Sequence, residues 1–432
     1  MQKKIIIAVI ILIVLLGGGF AYAYFGTDAF KSDKEIFFSY LTENKDKQSK
    51  EIAQKLEEYL DKKENKAYTN KGKVSLNISG ADDESLEMLN NSKITFEGKI
   101  NKIQNEAEQE ITLDFSQGYN IPLTYIQDGD MYGIKSELLG DKIVSVRNEG
   151  LKNLAERFEI DSTYVPDKIC VDDYKFTEEE QKILKERYLS YIRDSLTEDM
   201  FFKTKYGKQK VITAKVPEEN AVAIIREMAN EFRNDEIILS KMPEGLDKES
   251  FQENIDKFIS GLNDSENPNN RLDLSVYIEG KKLSKFEMIY YEDDEIYGKI
   301  TAEIKDNTIE TRIYEKDQCV TEISMKYDVT GDDVTTEMSI KVFEDDSEDI
   351  TEIALKAEYK NLLTLDNVEE NLTATVKAYE DEMKVNYTNS VTFDENVDIN
   401  GIDQNKAVII NDATDEEIQA IILSVYQKLG MV

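Results

Sequence analysis

The chain contains no histidine and no tryptophan. Histidine is the usual general base near neutral pH and the commonest protein ligand for transition metals. Its absence removes Ser-His-Asp and Cys-His catalysis and most zinc sites. The absence of tryptophan argues against the indole-lined clefts in which carbohydrate is commonly held. Cysteine is nearly absent too, with only Cys170 and Cys319. They could form one disulfide in an oxidising compartment or remain two buried thiols. No CxxC pair exists, so thioredoxin-like redox chemistry has no support. Positive charge is also scarce. Lys plus Arg number 53 against 88 Asp plus Glu, a net charge of −35, and a surface of that sign excludes nucleic acid as a partner. It also disfavours a broad electrostatic dock on anionic lipid.

Hydrophobic residues make up 40% of the 432 residues. That is enough for a real core, and the length allows two to three domain-sized units. After the cytoplasmic tail Met1–Lys4, an uncharged apolar run extends from Ile5 to Phe25. At ~1.5 Å per residue it can span a hydrocarbon core of about 30 Å. Lys3 and Lys4 place the tail in the cytoplasm and export the remainder. The competing reading is a cleaved signal peptide, with Ile5–Leu16 as its apolar segment and Ala21-Tyr22-Ala23 as its cleavage site. The apolar run continues past that site, which favours a retained anchor.

Residues 26–66 read as a helical stalk or a first packing helix, with Ile52, Leu56 and Tyr59 or Leu60 at helical spacing. The period then changes to two. Val74, Leu76 and Ile78 alternate with Ser75, Asn77 and Ser79, which opens a first β block over 67–150. Within it Asp128-Gly129 marks a hairpin. The middle, 151–267, reads as mainly helical. Thr177 and Glu180 form a capping box ahead of a stripe containing Tyr188 and Tyr191. Two further helices carry Val222, Ile225, Met228 and Phe232, then Phe251, Ile255 and Phe258. A long antiparallel meander follows over 268–402. Cys319 to Val329, Val334 to Val342, Ile353 to Tyr359 and Leu372 to Ala378 each keep apolar residues on one face. One covered and one wet face is the expectation for such a sheet. Residues 403–432 close the chain with a helix whose stripe is Ile418, Ile421, Ile422, Val425 and Leu429. The fold class expected is therefore α+β: an antiparallel curved sheet or half-barrel covered by amphipathic helices, plus one N-terminal transmembrane helix.

Recognisable motifs are few. The chain has no P-loop, no GxGxxG, no GxSxG and no SxxK. Asn396-x-Asp398-x-Asn400-Gly401 resembles half an EF-hand loop. Its twelfth position is Ala407, where calcium needs a bidentate Glu, and a simple turn explains the same residues. No catalytic, cofactor-binding or metal-binding residue is assigned, and no cofactor is expected.

The single anchor, the polar helical segment, the paired β blocks and the closing Val397-Asp398-Ile399-Asn400 resemble uncharacterised membrane-anchored extracytoplasmic proteins of low-GC Gram-positive bacteria. More distantly the β blocks look like half-barrel lipoprotein carriers, in which helices close a curved sheet over an apolar cavity. That resemblance implies a single-pass cell-membrane protein with its body outside the cytoplasm. The body would bind an apolar ligand or an envelope protein without catalysis. A cell-wall hydrolase using two carboxylates, or a purely structural or regulatory ectodomain, are the alternatives.

Overall fold

The computed structural model describes residues 32–42, 47–80, 89–116, 120–162, 165–169, 175–242, 248–262, 269–343, 350–379 and 381–429, with Gly118 and Asn267. The expected anchor at 5–25 and Cys170 lie outside these residues. Among those described, no helix is long and apolar enough to cross a membrane. The architecture is mixed α+β with a large, mostly antiparallel sheet.

Two compact units interleave along the chain. The first takes the described residues within 1–50, 170–325 and 342–347, the second those within 51–169, 326–341 and 348–432. In the first, helix α1 (Asp33–Thr42) inserts Ile36, Phe37, Phe38, Tyr40 and Leu41 into the core. This apolar clump lies in the segment read as a stalk, yet it is interior to a folded unit.

The first unit's sheet runs β7 (Phe201–Tyr206), β8 (Gln209–Pro217), β9 (Arg271–Glu279), β10 (Lys282–Glu292), β11 (Glu295–Lys305) and β12 (Thr308–Glu315), each antiparallel to the next. Ile212, Val276, Phe286 and Met288 are fully buried on it. The β10–β11 turn has Asp293 and Asp294 at positive φ, 53° and 64°. That is the geometry of a two-residue hairpin turn, which Asp tolerates better than most residues. Helix α4 (Glu178–Ser195) begins at the expected Thr177–Glu180 capping box. Helix α5 (Glu218–Asn234) buries Val222, Ile225 and Met228, while Phe232 is only partly covered. Helix α7 (Lys248–Ser260) follows the short α6 (Glu236–Ser240). Sequence periodicity missed β7, whose pattern after Phe201 is exposed throughout.

The second unit is built on β1 (Ala67–Ser79), which pairs with both β2 (Lys93–Asn101) and β17 (Asp381–Phe393). On one side the order continues through β3 (Glu106–Asp114), β4 (Asn120–Asp128), β5 (Met131–Lys135) and β6 (Ile143–Arg147). On the other lie β16 (Val368–Ala378) and β15 (Ile350–Lys360). The short β18 (Ala407–Ile409) joins β6 in parallel. Gly129 follows Asp128 at the β4–β5 turn with φ 59°, as the dipeptide predicts. Strands β13 (Gln318–Thr330) and β14 (Asp333–Phe343) contribute residues to both units.

Helix α2 (Lys47–Asn65) lays Ile52, Leu56 and Tyr59 on Tyr68, Val368, Val391 and Phe393. Helix α3 (Leu151–Arg157) is tied to the start of α8 (Asp415–Leu429) by Arg157, which donates to the carbonyls of Ile410 and Ala413 and to Asp415. Thr414 and Glu417 form a second capping box. The expected α8 stripe is only partly interior. Ile418 is buried, Ile421 and Val425 are half-buried, and Ile422 is exposed. The Leu429 side chain lies outside the described residues.

Candidate functional site

Register fixes which side chains share a face, because successive residues of a strand alternate sides. On β15, Ile353 and Leu355 stand opposite Val376 and Ala374 of β16. These stand opposite Met383 and Val385 of β17, and Met383 and Val385 opposite Ile78 and Leu76 of β1. Val74 then meets Ile94, and Ile94 meets Leu113. The same face reaches Ile121 and Leu123 on β4. The result is an unbroken aliphatic surface across seven strands of one unit.

None of those side chains is buried among the described residues. Leu355 and Met383 are 42% and 44% exposed, Ile353 and Ile94 about the same. The expectation that this face is covered is therefore corrected. Period-two alternation says which residues are coplanar and nothing of what lies over them. Cys319, Ile323 and Ile340, expected as core, are likewise half-buried. Burial pushes the Cys319 thiol up, away from thiolate reactivity. The tyrosine-bearing helix α4 belongs to the first unit. There Tyr188 and Tyr191 pack against the core, and the Tyr188 hydroxyl donates to Asp235.

At its α2 end the apolar face carries a polar cluster. Tyr359, Glu370, Asn389 and Gly72 are successive cross-strand partners on β15, β16, β17 and β1. Glu370 is 5% exposed. Its Oε1 receives the Lys63 ammonium of α2 at 2.9 Å. Its Oε2 accepts from Asn389 Nδ2 at 2.8 Å and from the Tyr387 hydroxyl at 3.2 Å. Burial pushes the Glu370 carboxyl up, but the hydrogen bond and charge of Lys63, helped by Asn389 and Tyr59, hold it below the usual carboxylate range. Asn389 Oδ1 is buried with no hydrogen-bond partner. Gly72 is required opposite Asn389, since a Cβ there would collide with the Thr388 carbonyl and the Phe96 ring.

Composition and motifs do not mark this cluster, although strand parity carries a signal for it. Glu370 and Val368 have the parity of Leu372, Ala374 and Val376, so a carboxylate sits on the apolar side of an alternating strand.

A cavity of about 430 Å³ in the same unit is lined by Arg147, Glu149, Asn153, Arg157, Asp167 and Asn411 among others. Its arginines are already neutralised, Arg147 by Glu149 and Asp412 and Arg157 by Asp415. The half EF-hand residues serve the loop itself. Asn400 donates to Glu108, the Asp398 carbonyl accepts from Lys99, and Asp128 accepts the Ile402 amide. Among the described residues no three acidic or cysteine side chains are gathered as metal ligands.

No family model matches the chain, and no curated protein does. Solved structures with some likeness include the intact N and C lobes of Ap-TbpB, at 7% identity over 76% of each chain and a TM-score of 0.13. A mutant porin of Rh. blastica is 9% identical over 76% of this chain and 98% of its own, with a TM-score of 0.18. Transferrin binding protein B of Neisseria meningitidis serogroup B is 7% identical over 76% and 77%, at 0.13. Scores this low carry no functional weight.

Proposed function

We propose that this is a membrane-anchored extracytoplasmic protein that holds an apolar, acyl-chain-like ligand on the second unit's sheet without catalysing a reaction. The carrying observation is the uncovered aliphatic face centred on Leu355, Ala374, Val385 and Leu76. Large apolar patches on a folded protein mark binding surfaces. This one offers methyl groups, with its polar atoms gathered at the α2 end, and suits a chain of methylenes better than a polar peptide. The burial of Glu218 and Asp235 against fixed partners favours a structural use of these carboxylates over a hydrolytic one.

The full chain, purified from its source, should carry lipid detectable by extraction and native mass spectrometry. It should also raise the fluorescence of an apolar dye. Leu355 and Val385 are not interior, so the double change Leu355→Asp, Val385→Asp should leave the circular dichroism intact and abolish both signals. Equal lipid and dye signals in the variant would sink the proposal.

The anchor is tested separately. Protease added to intact protoplasts should degrade the chain beyond about residue 30, as expected when Lys3 and Lys4 hold the tail inside. Protection of the body would place it in the cytoplasm.

A further inference from the structure

Lys63, Glu370 and Asn389 form an arrangement with a chemical consequence that ligand binding does not use. A primary amine and a carboxamide sit on the two oxygens of one carboxylate, Lys63 Nζ at 2.9 Å and Asn389 Nδ2 at 2.8 Å. Glu370 and Asn389 are each 5% exposed, the Lys63 side chain is 23% exposed, and fully buried Tyr59 belongs to the adjoining core with Tyr68 and half-buried Phe393. Lys63 Nζ lies 5.4 Å from the centre of the Tyr59 ring. The Asn389 carbonyl oxygen is out of contact with solvent and is left without a donor.

We infer that Lys63 and Asn389 become joined by an amide bond formed by the folded protein itself, with Glu370 carrying the proton. Glu370 first accepts a proton from the Lys63 ammonium, leaving a neutral amine and a carboxylic acid. Burial of Glu370 favours this neutral pair over the ion pair more than solvent does, and it is this minor form that reacts. The amine nitrogen attacks Asn389 Cγ, forming the new C–N bond. Oε2 of the Glu370 acid stays on Nδ2, the group that must leave. In the collapse the Cγ–Nδ2 bond breaks, and Nδ2 leaves as ammonia after taking a proton through Glu370. Amine plus carboxamide gives substituted amide plus ammonia, so nothing is oxidised or reduced and no co-reactant enters. Holding both groups on one carboxylate supplies what an uncatalysed encounter lacks. Glu370 is the general base and then the general acid. The bond would lock α2 to β17.

The test is the intact mass of the purified full chain, followed by tryptic mapping. The expected mass lies one ammonia below that of the sequence. Trypsin should fail to cleave after Lys63, and a branched peptide should join the segments holding Lys63 and Asn389. Lys63→Arg and Glu370→Gln should each restore the sequence mass. The wild-type measurement decides by itself even if a variant does not fold. A folded wild type at full sequence mass overturns the inference. So does ammonia lost at another residue while trypsin still cleaves after Lys63. Neither result depends on whether lipid binds.

Discussion

Val276→Asp should unfold the first unit, whereas Ile323→Asp should lower its stability by only about 1 kcal/mol. Val276 is fully buried on β9, paired with Phe286 of β10 and Ile212 of β8, all three with no exposed surface. A carboxylate placed there lies among the apolar side chains of the core. Burying an unpaired charge removes at least ~4 kcal/mol, most of the stability of an ordinary unit. Ile323 is half-buried and can turn a new carboxylate toward water. Urea denaturation followed by tyrosine fluorescence measures both. Equal losses at the two positions would mean that the face holding Ile323 is covered after all.

That contrast shows what could be read from the residues and what could not. Alternation and turn chemistry are local, so hairpins such as Thr330-Gly331-Asp332-Asp333 follow from a few neighbouring side chains, and Gly331 takes φ 64° there. The Thr177 and Thr414 caps are equally local. Burial is not. Ile323 and Val276 both sit in clean period-two strands, and only the helices that come from elsewhere in the chain separate them. Phe37, in the segment read as a stalk, is interior because α1 meets β7 and β8.

The polar cluster was hidden for a related reason. Lys63 and Glu370 are separated by 307 positions. One buried glutamate among 88 acidic residues has no compositional mark. Only its parity on β16 distinguishes it from the solvated glutamates beside it. The uncovered face was legible as a face and illegible as uncovered.

The same cluster makes the second unit sensitive to alkali. Burial, then the Glu370 charge, pushes the Tyr68 phenol up to about 12 from 10.0. Tyr59 and Tyr387 are raised further by the same causes in the same order. These groups bind protons more tightly folded than unfolded. Their contribution is therefore fully present below pH 10, the unfolded value, and is lost as pH rises through the folded values. For Tyr68 that window is pH 10 to about 12. Within it each such tyrosine removes about 1.4 kcal/mol per pH unit, because the unfolded chain ionises freely while the folded one does not. Three tyrosines acting together remove about 8 kcal/mol by pH 12, comparable with the whole stability of an ordinary unit. Urea midpoints should hold steady up to pH 9 and fall steeply above 10. Phenolate absorbance should rise in two stages, exposed tyrosines first and a delayed group coincident with unfolding. Tyr68→Phe should shallow the fall, since Phe fills the space and cannot ionise. A single smooth phenolate titration near pH 10, with the fold intact throughout, would show that these rings are in contact with water and that the cluster around Glu370 is open.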